Sequence, residues 1–109
     1  MLVHTVFFWL KPELSDDDRD AFLGGIETLY DIDEAEDVFI GFPADTPKRP
    51  VIDDSYDVGL TVLLADVEAH NAYQDHPIHK AFVDTFKSHW ARVLVFDVEE
   101  PPLEEDDED

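Results

Sequence analysis

Cysteine is absent from this sequence of 109 residues. Its absence excludes a disulfide framework, a thiolate nucleophile and a cysteine-ligated metal site. It also fits a reducing cytoplasm, which is the location that we expect. No run of eighteen or more apolar residues occurs, so no membrane-spanning helix is expected. The first residues lack a basic segment followed by a small-residue cleavage site, so we expect no secretory signal.

Basic residues are scarce as well. Seven Lys and Arg stand against 28 Asp and Glu, which gives a formal net charge of −21. Eight of the acids lie in residues 99–109, which we interpret as a disordered acidic tail. Nucleic acids and anionic membranes bind proteins through basic surfaces, so neither is an expected partner. We interpret the charge as a solvated surface that maintains solubility, with a basic partner for the tail as the alternative.

Apolar residues make up 44% of the chain, and their spacing predicts a single domain over residues 1–98. Four strands are predicted by short apolar runs, at residues 2–10, 38–42, 56–65 and 91–98. Ser15 stands before three aspartates, which is typical of the start of a helix. A second helix is predicted after Asp66, in two parts, because His76-Pro77 interrupts its apolar spacing.

The resulting βαββαβ order predicts an α+β, ferredoxin-like fold, with the helices on one face of a four-stranded antiparallel sheet. The other face is then expected to be polar. Instead, both faces of the first and last strands carry apolar residues, and we assign Phe7, Trp9, Val93 and Val95 to the open face. Burying one large apolar side chain contributes roughly 1.5–3 kcal/mol. We therefore expect a homodimer that packs sheet on sheet.

Several segments together resemble the stress-responsive A/B barrel (Dabb) domain. They are His4, the segment Tyr73-Gln74-Asp75-His76-Pro77-Ile78-His79, the pair Phe82-Val83, and Val93-Leu94-Val95-Phe96-Asp97. The resemblance spans about residues 2–98 and implies a ferredoxin-like dimer whose two sheets form an α/β barrel. Most members of the family have no assigned activity. Its plant members include stress-induced proteins and a cofactor-free polyketide cyclase.

The resemblance also implies a site. Its expected members are the catalytic residues His79, Tyr73 and His4, and the substrate-pocket residues Trp90, Val58 and Phe82. The family's cyclase has a pocket histidine on its third strand at the position where this sequence has Val58. The cavity expected here is therefore more apolar than that of the cyclase.

The chemistry of these residues supports two functions of different classes. Histidine titrates near neutral pH, so His79 can take a proton next to a carbonyl while Tyr73 hydrogen-bonds the developing oxyanion. This predicts a cofactor-free cyclase or isomerase acting on a small hydrophobic carbonyl compound. The other hypothesis, which we favour, is a stress-related barrel that binds a small hydrophobic ligand in an apolar pocket. In that case, His76-Pro77 serves only to start a helix, and His79 is satisfied by a backbone carbonyl or by His4.

The shape of the pocket is expected to distinguish these two functions. An open pocket that reaches both Tyr73 and His79 would favour the enzyme. A pocket filled by aromatic side chains would favour the ligand-binding or scaffold protein, and the candidates to fill it are Phe22, Phe82, Phe86 and Trp90.

A metal site is the remaining alternative. His76 and His79, three residues apart, can bind zinc with His4 or an acid as a third ligand. A haem-binding site is suggested only by analogy with related dimeric α+β barrels. We therefore predict neither a cofactor nor a metal, and we expect His70 and His89 to be solvated helix residues.

Overall fold

The computed structural model describes residues 1–101 of the chain. Its strands are β1 (Leu2–Leu10), β2 (Asp37–Gly41), β3 (Val58–Leu64) and β4 (Trp90–Glu99). Its helices are α1 (Asp16–Glu27), α2 (Val67–Asp75) and α3 (Pro77–Phe86), with short 3₁₀ turns after α1 and α3. The strands form one antiparallel sheet in the order β2-β3-β1-β4. The predicted α+β, ferredoxin-like fold is confirmed.

Short polar side chains define where the helices begin. The Ser15 hydroxyl accepts a hydrogen bond from the Asp18 N–H at 3.1 Å, and the Asp18 carboxylate accepts one from the Ser15 N–H at 3.4 Å. This is a reciprocal capping box at the start of α1. At the start of α3, His76 Nδ1 accepts a hydrogen bond from the Ile78 N–H at 3.1 Å, and Pro77 is the first helical residue. The predicted break between α2 and α3 is therefore present.

Aromatic side chains dominate the core between the helices and the sheet. The ring of Phe8, on β1, lies 5.2 Å from that of Phe22, 6.2 Å from that of Phe82 and 5.2 Å from that of Trp90. These are centroid separations at which tilted and edge-to-face aromatic pairs are favourable. The cluster packs α1, α3 and the start of β4 against the inner strand β1.

The register between β1 and β4 corrects the assignment of two residues. Val93 pairs with Phe8, and Val95 pairs with Val6. Residues directly opposite each other in an antiparallel pair point to the same face of the sheet. Because Phe8 and Val6 are buried beneath the helices, Val93 and Val95 also lie on the helix-covered face. Our assignment of these two valines to the open face was wrong.

The open face of the sheet is nevertheless apolar, as predicted. The positions that we assigned to the two valines are occupied by Leu94, which pairs with Phe7, and by Phe96. The ring of Tyr56 lies 4.7 Å from that of Phe7, and with Trp9 these side chains border an open cleft. Phe96 is 52% exposed in the single chain. The loop before β3 therefore covers only part of this face.

The ends of the domain differ slightly from expectation. Strand β4 continues through Glu99, and the Glu100 N–H donates a hydrogen bond to the Met1 carbonyl. The predicted acidic tail, residues 99–109, lies outside the described residues from position 102 onward. Within residues 1–101, no helix has the length and hydrophobicity needed to cross a bilayer.

Two adjacent glycines of α1 provide a matched test of this packing. A Cβ placed on Gly25 would lie 2.1 Å from the Phe86 ring, whereas one on Gly24 would meet no atom within 4 Å. We expect Gly24→Ala to raise the free energy of unfolding by up to about 1 kcal/mol, through helix propensity. Gly25→Ala should lower it by about 1–3 kcal/mol, because the Phe86 ring must shift. Urea denaturation measures both, and equal effects of the two substitutions would contradict this packing.

Candidate functional site

A cavity of about 140 Å³ lies between the sheet and helices α2 and α3 and is partly open to solvent. Apolar side chains form most of its wall, among them Phe82 and Trp90. Among the described residues, three polar side chains line it, namely His4, Gln74 and His79. The cavity therefore combines a hydrophobic lining with a few groups that can exchange protons or hydrogen bonds.

His4 is the buried polar residue at this site. It is 3% exposed, and Asp97 lies directly opposite it on β4. His4 Nδ1 lies 2.5 Å from Asp97 Oδ1, so the ring donates its Nδ1–H to the carboxylate. His4 Nε2 lies 3.4 Å from the amide nitrogen of Gln74, from which it accepts. Asp97 thus fixes the tautomer of His4, and the unprotonated nitrogen faces the cavity side.

Tyr73 lies behind the cavity wall. Its side chain is fully buried, and its ring lies 5.8 Å from the ring of His4 and 5.0 Å from that of His79. Within residues 1–101, its hydroxyl has no hydrogen-bond partner. Burial raises the pKa of this hydroxyl well above its ordinary value, so it stays protonated. Tyr73 therefore stays neutral and its O–H can donate a hydrogen bond, but the residue does not line the cavity.

His79 is placed on the first turn of α3 by the His76-Pro77 break. Its side chain is half-buried. Burial is the main factor that lowers the pKa of the His79 imidazole, and repulsion from any positive charge on the neighbouring His4 and His70 rings lowers it further. The ring is consequently uncharged for the most part at neutral pH and carries a lone pair that can accept a proton.

The structure groups most of the expected site residues. His4, Tyr73 and His79 form one continuous cluster, and Phe82 and Trp90 line the cavity beside it. Val58 does not line this cavity. It is buried on the neighbouring stretch of β3, where it borders a separate groove near α1.

Sequence reasoning missed Asp97, Gln74 and His70 as members of the site. The expectation that His70 is solvated was wrong, because its ring lies 5.2 Å from that of His4 and it is only partly exposed. Its spacing of three residues from Tyr73 on one helix was the available signal. Asp97 could be found only from the strand register. The alternative zinc site on His76 and His79 is not assembled, since Nδ1 of His76 accepts the Ile78 N–H at the start of α3 and, within residues 1–101, neither histidine belongs to a group of three potential metal ligands.

Comparison with known proteins identifies similar chains. The model of the Stress responsive A/B Barrel Domain matches residues 2–100. Olivetolic acid cyclase from Cannabis sativa is 26% identical over 95 residues, which cover 86% of this chain and 91% of the cyclase.

Two solved structures share the fold. A Dabb family protein with a ferredoxin-like fold from Mesorhizobium loti superposes with a TM-score of 0.73 at 27% identity, covering 93% of this chain and 97% of that one. A dimeric ferredoxin-like protein of unknown function from Thermobifida fusca superposes with a TM-score of 0.72 at 18% identity, covering 89% and 88%.

The unpartnered Tyr73 hydroxyl leads to a stability prediction. We expect Tyr73→Phe to leave the free energy of unfolding unchanged or to raise it by up to about 1 kcal/mol, because a buried hydroxyl without a partner is a desolvation cost. Tyr30→Phe, at an exposed position, is the matched control and should have no effect. Urea denaturation at a fixed protein concentration measures both. A loss above about 1 kcal/mol for Tyr73→Phe would show that the hydroxyl is hydrogen-bonded in the folded protein.

Proposed function

The chain belongs to the stress-responsive A/B barrel domain family, whose model matches residues 2–100, and from this premise we propose that it binds a small, uncharged carbonyl compound. The observation that carries this proposal is the cavity itself, which is apolar apart from His4, Gln74 and His79. An apolar body would occupy the space beside Phe82 and Trp90. A carbonyl oxygen would accept a hydrogen bond from the Gln74 amide.

The size of the cavity limits how much of a ligand it can enclose. At about 140 Å³, it is close to the roughly 150 Å³ of an engineered apolar cavity that holds benzene. It is smaller than the roughly 300–1,000 Å³ typical of sites for drug-sized ligands. A single ring with a short substituent fits this volume.

Charge limits the ligand as well. None of the residues that line the cavity in the described part of the chain is a lysine or an arginine. The Asp97 carboxylate lies directly behind His4, and the chain as a whole carries a formal charge of −21. A carboxylate or phosphate would therefore be repelled and left without a counter-ion, so we propose a neutral ligand.

A second candidate function is a cofactor-free enzyme of the cyclase or isomerase type. The uncharged His79 would accept a proton from the carbon beside the carbonyl, and the C–H electron pair would move to give an enolate. The enolate oxygen would accept a hydrogen bond from Gln74, which lines the cavity, or from Tyr73 if its side chain moves. The enolate would then be reprotonated or would attack a second carbonyl. Because the cavity reaches His79 but not Tyr73, ligand binding is the better-supported function.

We also propose that two copies associate through their open sheet faces. That face has an apolar surface, which is costly to leave in water. It is formed by Phe7, Trp9, Leu94 and Phe96. The similar protein from Thermobifida fusca is described as dimeric. A cytoplasmic location, and the absence of nucleic-acid and membrane partners, stay predictions.

Binding can be tested with acetophenone, a neutral aromatic ketone, against benzoate, its charged counterpart. Val95→Trp should block the cavity from its rim, since Val95 lines it and is 45% exposed. Val67→Trp is the matched control, because Val67 is 47% exposed and does not line the cavity. We expect ligand-observed NMR to show acetophenone binding that Val95→Trp weakens by at least about tenfold and Val67→Trp does not change. Equal binding of benzoate, or no effect of Val95→Trp, would contradict the proposal.

The same ketone tests the enzyme. In D₂O, a working base would speed deuterium exchange at the acetophenone methyl group, and His79→Gln should abolish that acceleration while binding persists. Exchange at the background rate with bound ketone would reject the enzyme and retain the ligand-binding function.

The dimer is tested by analytical ultracentrifugation. At micromolar concentration, we expect a species of twice the 12.5 kDa chain mass. Phe96→Asp should shift the equilibrium toward the monomer, because it puts a charge into each copy of the interface. Lys87→Asp, an exposed change outside the open face, is the control. A folded wild-type monomer at this concentration would exclude association through this face.

A further inference from the structure

We propose that His4, His70 and Asp97 form a binding site for a divalent transition-metal ion of the zinc class. Each residue comes from a different element: His4 from β1, His70 from α2 and Asp97 from β4. One ligand atom from each lies within 4.8 Å of the others. This metal site is separate from the proposed ligand-binding cavity. The metal would bind Nδ1 of His4, whereas Nε2 of the same ring faces Gln74 in the cavity wall.

The distances are close to those that a metal requires. Zinc holds nitrogen and oxygen ligands at about 2.0–2.2 Å, so ligand atoms of a tetrahedral site lie about 3.3 Å apart. His4 Nδ1 and Asp97 Oδ1 are 2.5 Å apart, and His70 Nε2 and Asp97 Oδ2 are 3.8 Å apart. These two separations involve different oxygens of the Asp97 carboxylate and fall on either side of the required value, and no two of the three ligand atoms are more than 4.8 Å apart. Side-chain adjustments of about 1–2 Å would therefore assemble all three ligands around one ion.

The chemistry of the ligands selects the ion. Two imidazoles and one carboxylate suit zinc, copper or nickel, whereas magnesium and calcium prefer oxygen ligands alone. Three protein ligands leave a fourth position for water. His70 and Asp97 are partly exposed, with side-chain exposures of 20% and 41%, so the ion has a path from solvent. The acidic surface raises the local concentration of cations along that path.

Metal binding would change the cavity wall. When an ion takes Nδ1 of His4, the single proton of the neutral ring moves to Nε2. That nitrogen then becomes a donor, and rotation of the Gln74 amide presents an oxygen to accept from it. The ion would thus convert an acceptor beside the cavity into a donor and alter which ligands the cavity prefers.

The test uses the full chain, treated with EDTA and dialysed, and titrated with Zn²⁺ by calorimetry and with Co²⁺ by visible absorption. We expect one ion per chain with micromolar or tighter affinity. His70→Ala and Asp97→Asn should each weaken Zn²⁺ binding by at least about tenfold. His89→Ala is the matched control, because His89 is a half-buried histidine outside the cluster. Its affinity for Zn²⁺ should equal that of the wild type.

Two outcomes would overturn the site. The first is Zn²⁺ affinity that neither His70→Ala nor Asp97→Asn reduces. The second is displacement of Zn²⁺ by millimolar Mg²⁺, which would indicate binding to surface carboxylates only. Circular dichroism of each variant verifies that the fold is retained, and His70→Asn provides a second, smaller change at the partly exposed ligand that should also weaken binding.

Discussion

His4 lies in β1, one of the two inner strands, within a layer of apolar side chains, and its burial requires a hydrogen-bond partner. An imidazole removed from water without such a partner costs on the order of 1–3 kcal/mol. The chain meets this requirement by placing Asp97 opposite His4 on the edge strand. That one pair determines where the cavity has its polar end. Gln74, Tyr73 and His79 then lie around it on the two helices that cover this part of the sheet.

The register that joins His4 to Asp97 also determines the second functional surface. Alternate residues of β4 point to opposite faces, so the register that turns Asp97 and Val95 toward the helices turns Phe96 and Leu94 toward the open face. The same strand therefore supplies the wall of the cavity and the apolar surface proposed to pair with a second copy. A slip of one residue would destroy both surfaces at once.

Local signals in the sequence were sufficient to predict the helices and strands, and the resemblance to the Dabb family supplied most of the candidate site residues. Ser15, Asp66 and Pro77 predicted helix starts because caps and proline act through neighbouring backbone groups. The faces of Val93 and Val95 were not predictable in this way, since alternation shows which residues share a face but not which face is covered. The roles of Asp97 and His70 depend on contacts between residues distant in sequence, which only the folded chain brings together.

The most direct test of the site built on His4 and Asp97 is to measure which ring nitrogen of His4 carries the proton. In the metal-free protein at neutral pH, ¹⁵N-detected correlation of the histidine ring nitrogens should show a protonated Nδ1 and an unprotonated Nε2 for His4, since Asp97 accepts from Nδ1. Asp97→Asn should remove this preference, because the neutral amide is a weaker acceptor. A His4 ring protonated at Nε2 with a bare Nδ1 would show that Asp97 does not hold it, and the site built on that pair would be contradicted.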